Sequence, residues 1–123
     1  MKWAALIAAL ALAGPASAAP TVPVRTAEQR ETLIELAKVL GQAHALHRVC
    51  AGPTDDTWRS RMARLIEVEA PGDAFKQRLT ESFNAGFTDK ALAGKDCKAA
   101  EAAETVAAKR GAELARRLGP TAP

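Results

Sequence analysis

Tyrosine is absent from the chain, and only two tryptophans and three phenylalanines occur in its 123 residues. So few aromatics argue against a single-strand nucleic-acid platform, which needs exposed aromatics interleaved with basic side chains on one face. Those that occur past the first residues, Trp58, Phe75, Phe83 and Phe87, fall at core-like helical spacings. Only two cysteines are present, with no C-x-x-C pair and no C-x-x-C-H. Covalent haem attachment and the usual paired zinc arms are therefore missing. No G-x-S-x-G, H-E-x-x-H or phosphate-cradling glycine loop occurs, and these motifs carry most recognisable nucleophile, metalloprotease and nucleotide chemistry. No period-two alternation marks a strand, and no internal repeat appears. The net charge of +3 is small for this length. It gives no reason to expect a nucleic-acid partner.

The first residues read as a secretory leader rather than as part of the fold. Lys2 precedes an unbroken apolar run from Trp3 to Ala13, which Gly14 and Pro15 break before the small-residue pattern Ala16-Ser17-Ala18. Charge, apolar stretch, breaker and cleavage pattern stand in the order of a signal peptide. Eleven apolar residues fall short of the roughly 20 that span a bilayer. The expected division is a signal peptide over 1–18, an extended arm over 19–25, a helical domain over 26–118 and a flexible tail over 119–123. The expected location is the periplasm. About 105 residues then remain for a single core, which is enough for one independent domain.

What remains is helical in pattern. Thr26 and Gln29 fit a capping box. Leu33, Leu36, Leu40, Ala43, His47 and Cys50 then recur at spacings of three and four, as one stripe facing a partner helix that Ile34, Ala37 and His44 widen. Gly41 in a helix interior implies a close helix approach or a bend. Ala51-Gly52-Pro53 ends this helix, and Thr54, Asp55 and Asp56 offer caps for a second one carrying Trp58, Met62, Leu65, Ile66 and Val68. Pro71-Gly72 closes it. Asp73 can cap a third helix with Phe75, Leu79, Phe83 and Phe87 on one face, ending near Gly94. Asp96 can cap a fourth, whose seam is Ala100, Ala103, Ala107, Gly111, Leu114 and Leu118. The expected fold is all-α: a small antiparallel four-helix bundle, up-down-up-down, with one disulfide. In that topology Cys50 and Cys97 lie at the same end, close enough for a bridge, and an exported chain with two cysteines most simply forms one.

The run Leu40-Gly41-x-x-His44-x-Leu46-x-x-x-Cys50, followed by Trp58, Met62, Glu69, Phe83-Asn84-x-Gly86-Phe87 and Cys97, resembles an uncharacterised family of small exported alphaproteobacterial proteins. The resemblance spans about Leu33 to Leu118. It implies export and a helical fold, and it brings no activity, substrate or catalytic residue. The chain departs from the pattern at His47, where arginine is expected, and lacks an aromatic between Phe87 and Cys97.

Few residues are candidates for chemistry. His44, His47 and Cys50 are spaced three apart on one helix face, so a metal site using His44 and His47 can be drawn. The competing reading puts Cys50 in the disulfide, His44 at the core edge and His47 partly exposed. Met62 could reach a non-covalent haem, but a lone methionine at helical spacing fills core. Asn84, the chain's one asparagine, is a candidate binding residue or a structural amide beside Gly86. Ser60 and Ser82 lack an identifiable base, so no enzyme and no cofactor are expected. Arg25, Arg30, Lys76, Arg78, Arg116 and Arg117 gather at one end of the bundle, where an anionic membrane surface is a weaker partner option. The leading expectation is a non-enzymatic periplasmic interaction or structural module, with an envelope protein as partner. The alternative is a small-ligand or metal-binding carrier using His44 and His47.

Overall fold

The structure is a computed structural model that describes residues 22–119. The leader expected over 1–18, the first residues of the arm and the last residues of the tail lie outside the described residues. Four helices follow in order: α1 (Ala27–Ala51), α2 (Thr57–Glu69), α3 (Asp73–Ala91) and α4 (Cys97–Arg117). No strand occurs among the described residues.

Local chemistry sets the helix ends. The Thr26 hydroxyl accepts from the Gln29 backbone N–H at 3.1 Å, and the Gln29 side-chain oxygen accepts from the Thr26 N–H at 2.9 Å. This reciprocal box satisfies two otherwise orphaned donors. Gly52 ends α1 with φ of 101°, a conformation that favours glycine. At α4 the Asp96 carboxylate accepts from Ala99 N–H at 2.8 Å. Of the candidates ahead of α2, Asp55 makes the bond, accepting from the Thr57 N–H at 3.0 Å, while Asp56 holds the cap position without a side-chain bond. One expected cap differs. Asp73 is the first residue of α3 rather than its cap, which is Gly72. Helix α3 also stops at Ala91, short of Gly94.

The chain runs up, down, up, down, yet the packing is centred on one helix. Helix α1 packs against α3, α4 and α2, in that order of extent. Its buried set, Leu33, Leu36, Ala37, Val39, Leu40, Gly41, Ala43, His44, Ala45 and Leu46, covers most of its circumference. The single stripe expected for α1 is therefore corrected to a helix surrounded on most sides. A helix with so wide an apolar face belongs inside a bundle rather than at its edge, and along the middle of α1 only the side carrying Glu31, Glu35 and Lys38 is exposed.

Helices α1 and α3 run parallel and come closest. A Cβ built on Gly41 would overlap the Phe83 carbonyl oxygen and sit 2.8 Å from the Phe83 carbonyl carbon. A Cβ built on Gly86 would overlap the Lys38 carbonyl oxygen and sit 2.9 Å from its carbon. The two glycines thus bring backbone against backbone, and the Ser82 hydroxyl donates to the Ile34 carbonyl at 2.7 Å beside the crossing. Leu33 and Leu79 are fully buried in the core, with Phe83 beside them.

Two long-range fastenings close the ends. Cys50 and Cys97 form the expected disulfide, with Cα atoms 4.9 Å apart. At the other end Glu69 accepts two hydrogen bonds from the Arg25 guanidinium, at 2.7 and 2.9 Å. Arg25 also donates to the Leu118 carbonyl at 3.0 Å. The side chains of this pair are only 10% and 4% exposed. One guanidinium therefore ties the N-terminal arm to the C-terminal ends of α2 and α4.

Candidate functional site

Helices α2 and α4 both run antiparallel to α1, but they do not close over it. Between them lies an open groove of about 590 Å³, within the size range of ordinary ligand sites. Leu36 and Leu40 of α1 form its floor, Trp58, Leu65 and Val68 one wall, and Ala108, Gly111, Ala112 and Ala115 the other. The α4 wall is low because its residues are small. Gly111 has room for a Cβ, whose nearest neighbours would be Val39 Cγ1 at 3.6 Å and Leu36 Cδ1 at 3.8 Å. The Arg25–Glu69 pair and Leu118 close one end.

The other end is set by a polar cluster. The Trp58 indole N–H donates to Glu104 Oε2 at 3.2 Å. Glu104 also lies 2.9 and 3.1 Å from His47 Nδ1, and His47 Nε2 lies 3.4 Å from Asp55 Oδ1. Thr57 donors hold the Asp55 carboxyl below its usual pKa range, chiefly through the backbone bond. Arg61 stacks over the Trp58 ring at 4.2 Å. Trp58, the one tryptophan among the described residues, is thus fixed by a hydrogen bond on one side and a cation on the other, with its ring in the groove wall.

The residues singled out from sequence fall in three separate places. His44 is 4% exposed on the α3 side of α1, its ring 5.7 Å from Phe83 and 5.3 Å from Phe87. Its Nδ1 is buried without a hydrogen-bond partner. Burial first, then the charges of Arg48 and Arg59, push its pKa below the usual histidine value. His47 turns instead to Glu104 and Asp55, so the two histidines do not converge on one point, and both cysteines are consumed in the disulfide. The one cluster of three metal-ligating types among the described residues, Cys50, Cys97 and Glu101, contains that disulfide. Met62 is buried in the core.

Asn84 is exposed on α3 and makes no side-chain hydrogen bond among the described residues. The expectation of a structural amide beside Gly86 is corrected: the crossing is made by backbone alone, with Asn84 turned to solvent. Three of the six basic residues gathered at one end are paired. Arg25 pairs with Glu69, Arg117 with Glu113, and Arg78 lies 3.8 Å from Glu31. Arg30 covers the Phe75 ring at 4.5 Å.

The groove was missed in the sequence reading. Its signal was the row Ala108, Ala112 and Ala115 beside the expected seam of α4, together with Val68 on α2.

A match to the family described as protein of unknown function (DUF2385) covers residues 29–120. The chain belongs to this family. The match spans both groove walls, the glycine crossing and the disulfide. No curated protein and no solved structure matches the chain.

Proposed function

We propose that this DUF2385 member is an exported, non-enzymatic interaction module that docks an apolar group in the groove between α2 and α4. The observation that carries the reading is the groove itself: an apolar trough with a defined floor, two walls and a charged end stop. Export to the periplasm is supported by the order of Lys2, the apolar run, the breaker and the Ala16-Ser17-Ala18 pattern. An exposed disulfide also suits an oxidising compartment.

The non-enzymatic part rests on what surrounds the polar groups. Both ring nitrogens of His47 face carboxylates, so neither is directed at a hydroxyl or thiol nucleophile. His44 is enclosed by Phe83 and Phe87. Ser82 donates to a backbone carbonyl. The alternative of a small-ligand carrier moves with the geometry from His44 and His47 to the groove, whose volume would hold a small apolar molecule.

The test uses the oxidised chain from Ala19 and the neutral apolar dye N-phenyl-1-naphthylamine. Dye fluorescence should rise on binding while Trp58 emission falls, because the indole lies in the groove wall. Gly111→Leu, which extends from the α4 wall over the Leu36 floor, should abolish both changes without lowering the melting temperature. Absence of dye binding, or binding indifferent to Gly111→Leu, would contradict the reading.

A further inference from the structure

The banks of the groove carry charge as well as apolar surface. Arg61 and Arg64 stand along the α2 side. On the α4 side Ala112 is shared between the groove and an outer flank that carries Lys109 and Arg116, with Glu113 between them already paired to Arg110 and Arg117. Among the described residues Arg61, Lys109 and Arg116 make no ion pair, and Arg64 has only a solvent-exposed neighbour, Glu67, at 3.6 Å. The groove's acidic lining residue, Glu69, is already bound by Arg25. The trough is therefore apolar at its base and cationic along both edges.

The spacing of these charges restricts the occupant. Lys109 and Arg116 are about 10 Å apart along α4, and the α2 wall from Trp58 to Glu69 rises about 16 Å, at 1.5 Å per residue. A single-headed amphiphile places its charge at one end and can satisfy one cation cluster. Cations along both banks match a partner whose negative charge is distributed along two edges of an apolar ridge. The low wall of Ala108, Gly111, Ala112 and Ala115 favours close backbone approach, as at helix contacts with axes roughly 8–10 Å apart.

We propose that the groove receives an amphipathic α-helix of another protein, with an apolar ridge flanked on both sides by Asp or Glu, over about three turns. The inference rests on the groove-docking reading and names its partner chemistry. Leu65, Val68 and the small face of α4 take the ridge, and Arg61, Arg64, Lys109 and Arg116 take the acidic flanks. Charge complementarity of this kind sets partner choice and speeds encounter, and it weakens with salt.

The test uses the oxidised chain from Ala19 and two synthetic helical peptides sharing one Leu/Ala ridge, one flanked by Glu and the other by Lys. Binding is read from Trp58 emission and by calorimetry. The Glu-flanked peptide should bind with an affinity that falls as salt rises, and the Lys-flanked peptide at least about tenfold more weakly, since about 1.4 kcal/mol is tenfold. Gly111→Leu should abolish binding. The exposed double change Arg64→Glu with Lys109→Glu, which leaves the core and the Arg61–Trp58 stack untouched, should abolish the preference between peptides. Equal binding of both peptides would overturn the proposal, as would binding of dodecyl sulfate or anionic vesicles with no binding of the Glu-flanked peptide. If the neutral dye binds and neither peptide does, the partner chemistry is wrong and the groove reading stands. If nothing binds, both fall.

Discussion

The helix glycines give a prediction in which the same substitution has opposite signs at different sites. In Gly41→Ala the new methyl meets backbone, not a side chain that could turn away. Besides the Phe83 carbonyl oxygen, it would lie 2.8 Å from the Phe83 carbon and 3.0 Å from the Phe87 nitrogen. Carbon–carbon contact is comfortable only at about 3.5–4.0 Å, and the overlapped Phe83 oxygen needs still more room, so α1 and α3 must separate by roughly an ångström or more. Overpacking of this kind costs about 1–3 kcal/mol, and a backbone clash belongs at the top of that range. Replacing a helical glycine by alanine returns about 1 kcal/mol, which leaves a net loss of about 2 kcal/mol. At about 4–8 °C per kcal/mol for a domain of this size, the melting temperature should fall by about 8–16 °C. Gly86→Ala, against Lys38, should behave alike. Gly111→Ala keeps the propensity gain and meets only side chains at 3.6 and 3.8 Å. It should gain about 0.5–1 kcal/mol. Calorimetric melting of the oxidised proteins measures all three. If Gly41→Ala melts higher than the parent protein, the backbone crossing is not the device that joins α1 to α3.

Three further outcomes follow from the same structure. Glu69→Ala leaves the Arg25 guanidinium nearly buried without its carboxylate and should lose about 3 kcal/mol in chemical denaturation, the lower end for breaking a buried pair; a loss under 1 kcal/mol would mean that the clasp is not closed in solution. Reduction of the Cys50–Cys97 bridge, with its sequence separation of 47, should lower stability by up to about 4 kcal/mol in the chain-entropy model; unchanged denaturation after complete reduction would contradict this. Burial holds the His44 pKa below the ordinary histidine value, so as pH falls below about 6.5 the unfolded chain gains a proton that the folded chain refuses, and stability drops. Asp55 and Glu113 are held below their usual carboxyl values and titrate at lower pH. The slope between about pH 6.5 and 5 should therefore shrink in His44→Leu, and an unchanged slope would assign it elsewhere.

Helix order, topology and the disulfide were legible because each has a local signature: the capping box at Thr26, the breakers at Gly52-Pro53 and Pro71-Gly72, and two cysteines that an up-down-up-down chain places together. Gly41 also announced a close approach. The central position of α1 was not legible from a search for one stripe. Ala45, Leu46 and Val39 lie off the expected stripe and are buried because three helices surround α1. Nothing local marks Glu69 as half of a buried ion pair, since its partner, Arg25, lies 44 residues away and outside the helices. His47 counted toward the apolar stripe, yet its ring turns aside to Glu104, a long-range pairing that periodicity does not encode. The groove is an absence of contact between two helices, and no single helix pattern records it.

The most direct test of the groove-docking account is an NMR titration of the isotope-labelled, oxidised chain from Ala19 with the Glu-flanked helical peptide. The account predicts shift changes concentrated at Trp58, Leu65, Val68, Gly111, Ala112 and Ala115, diminishing with added salt, while Asn84 and the rest of α3 stay still. Changes centred on α3, or none at saturating peptide, would contradict it.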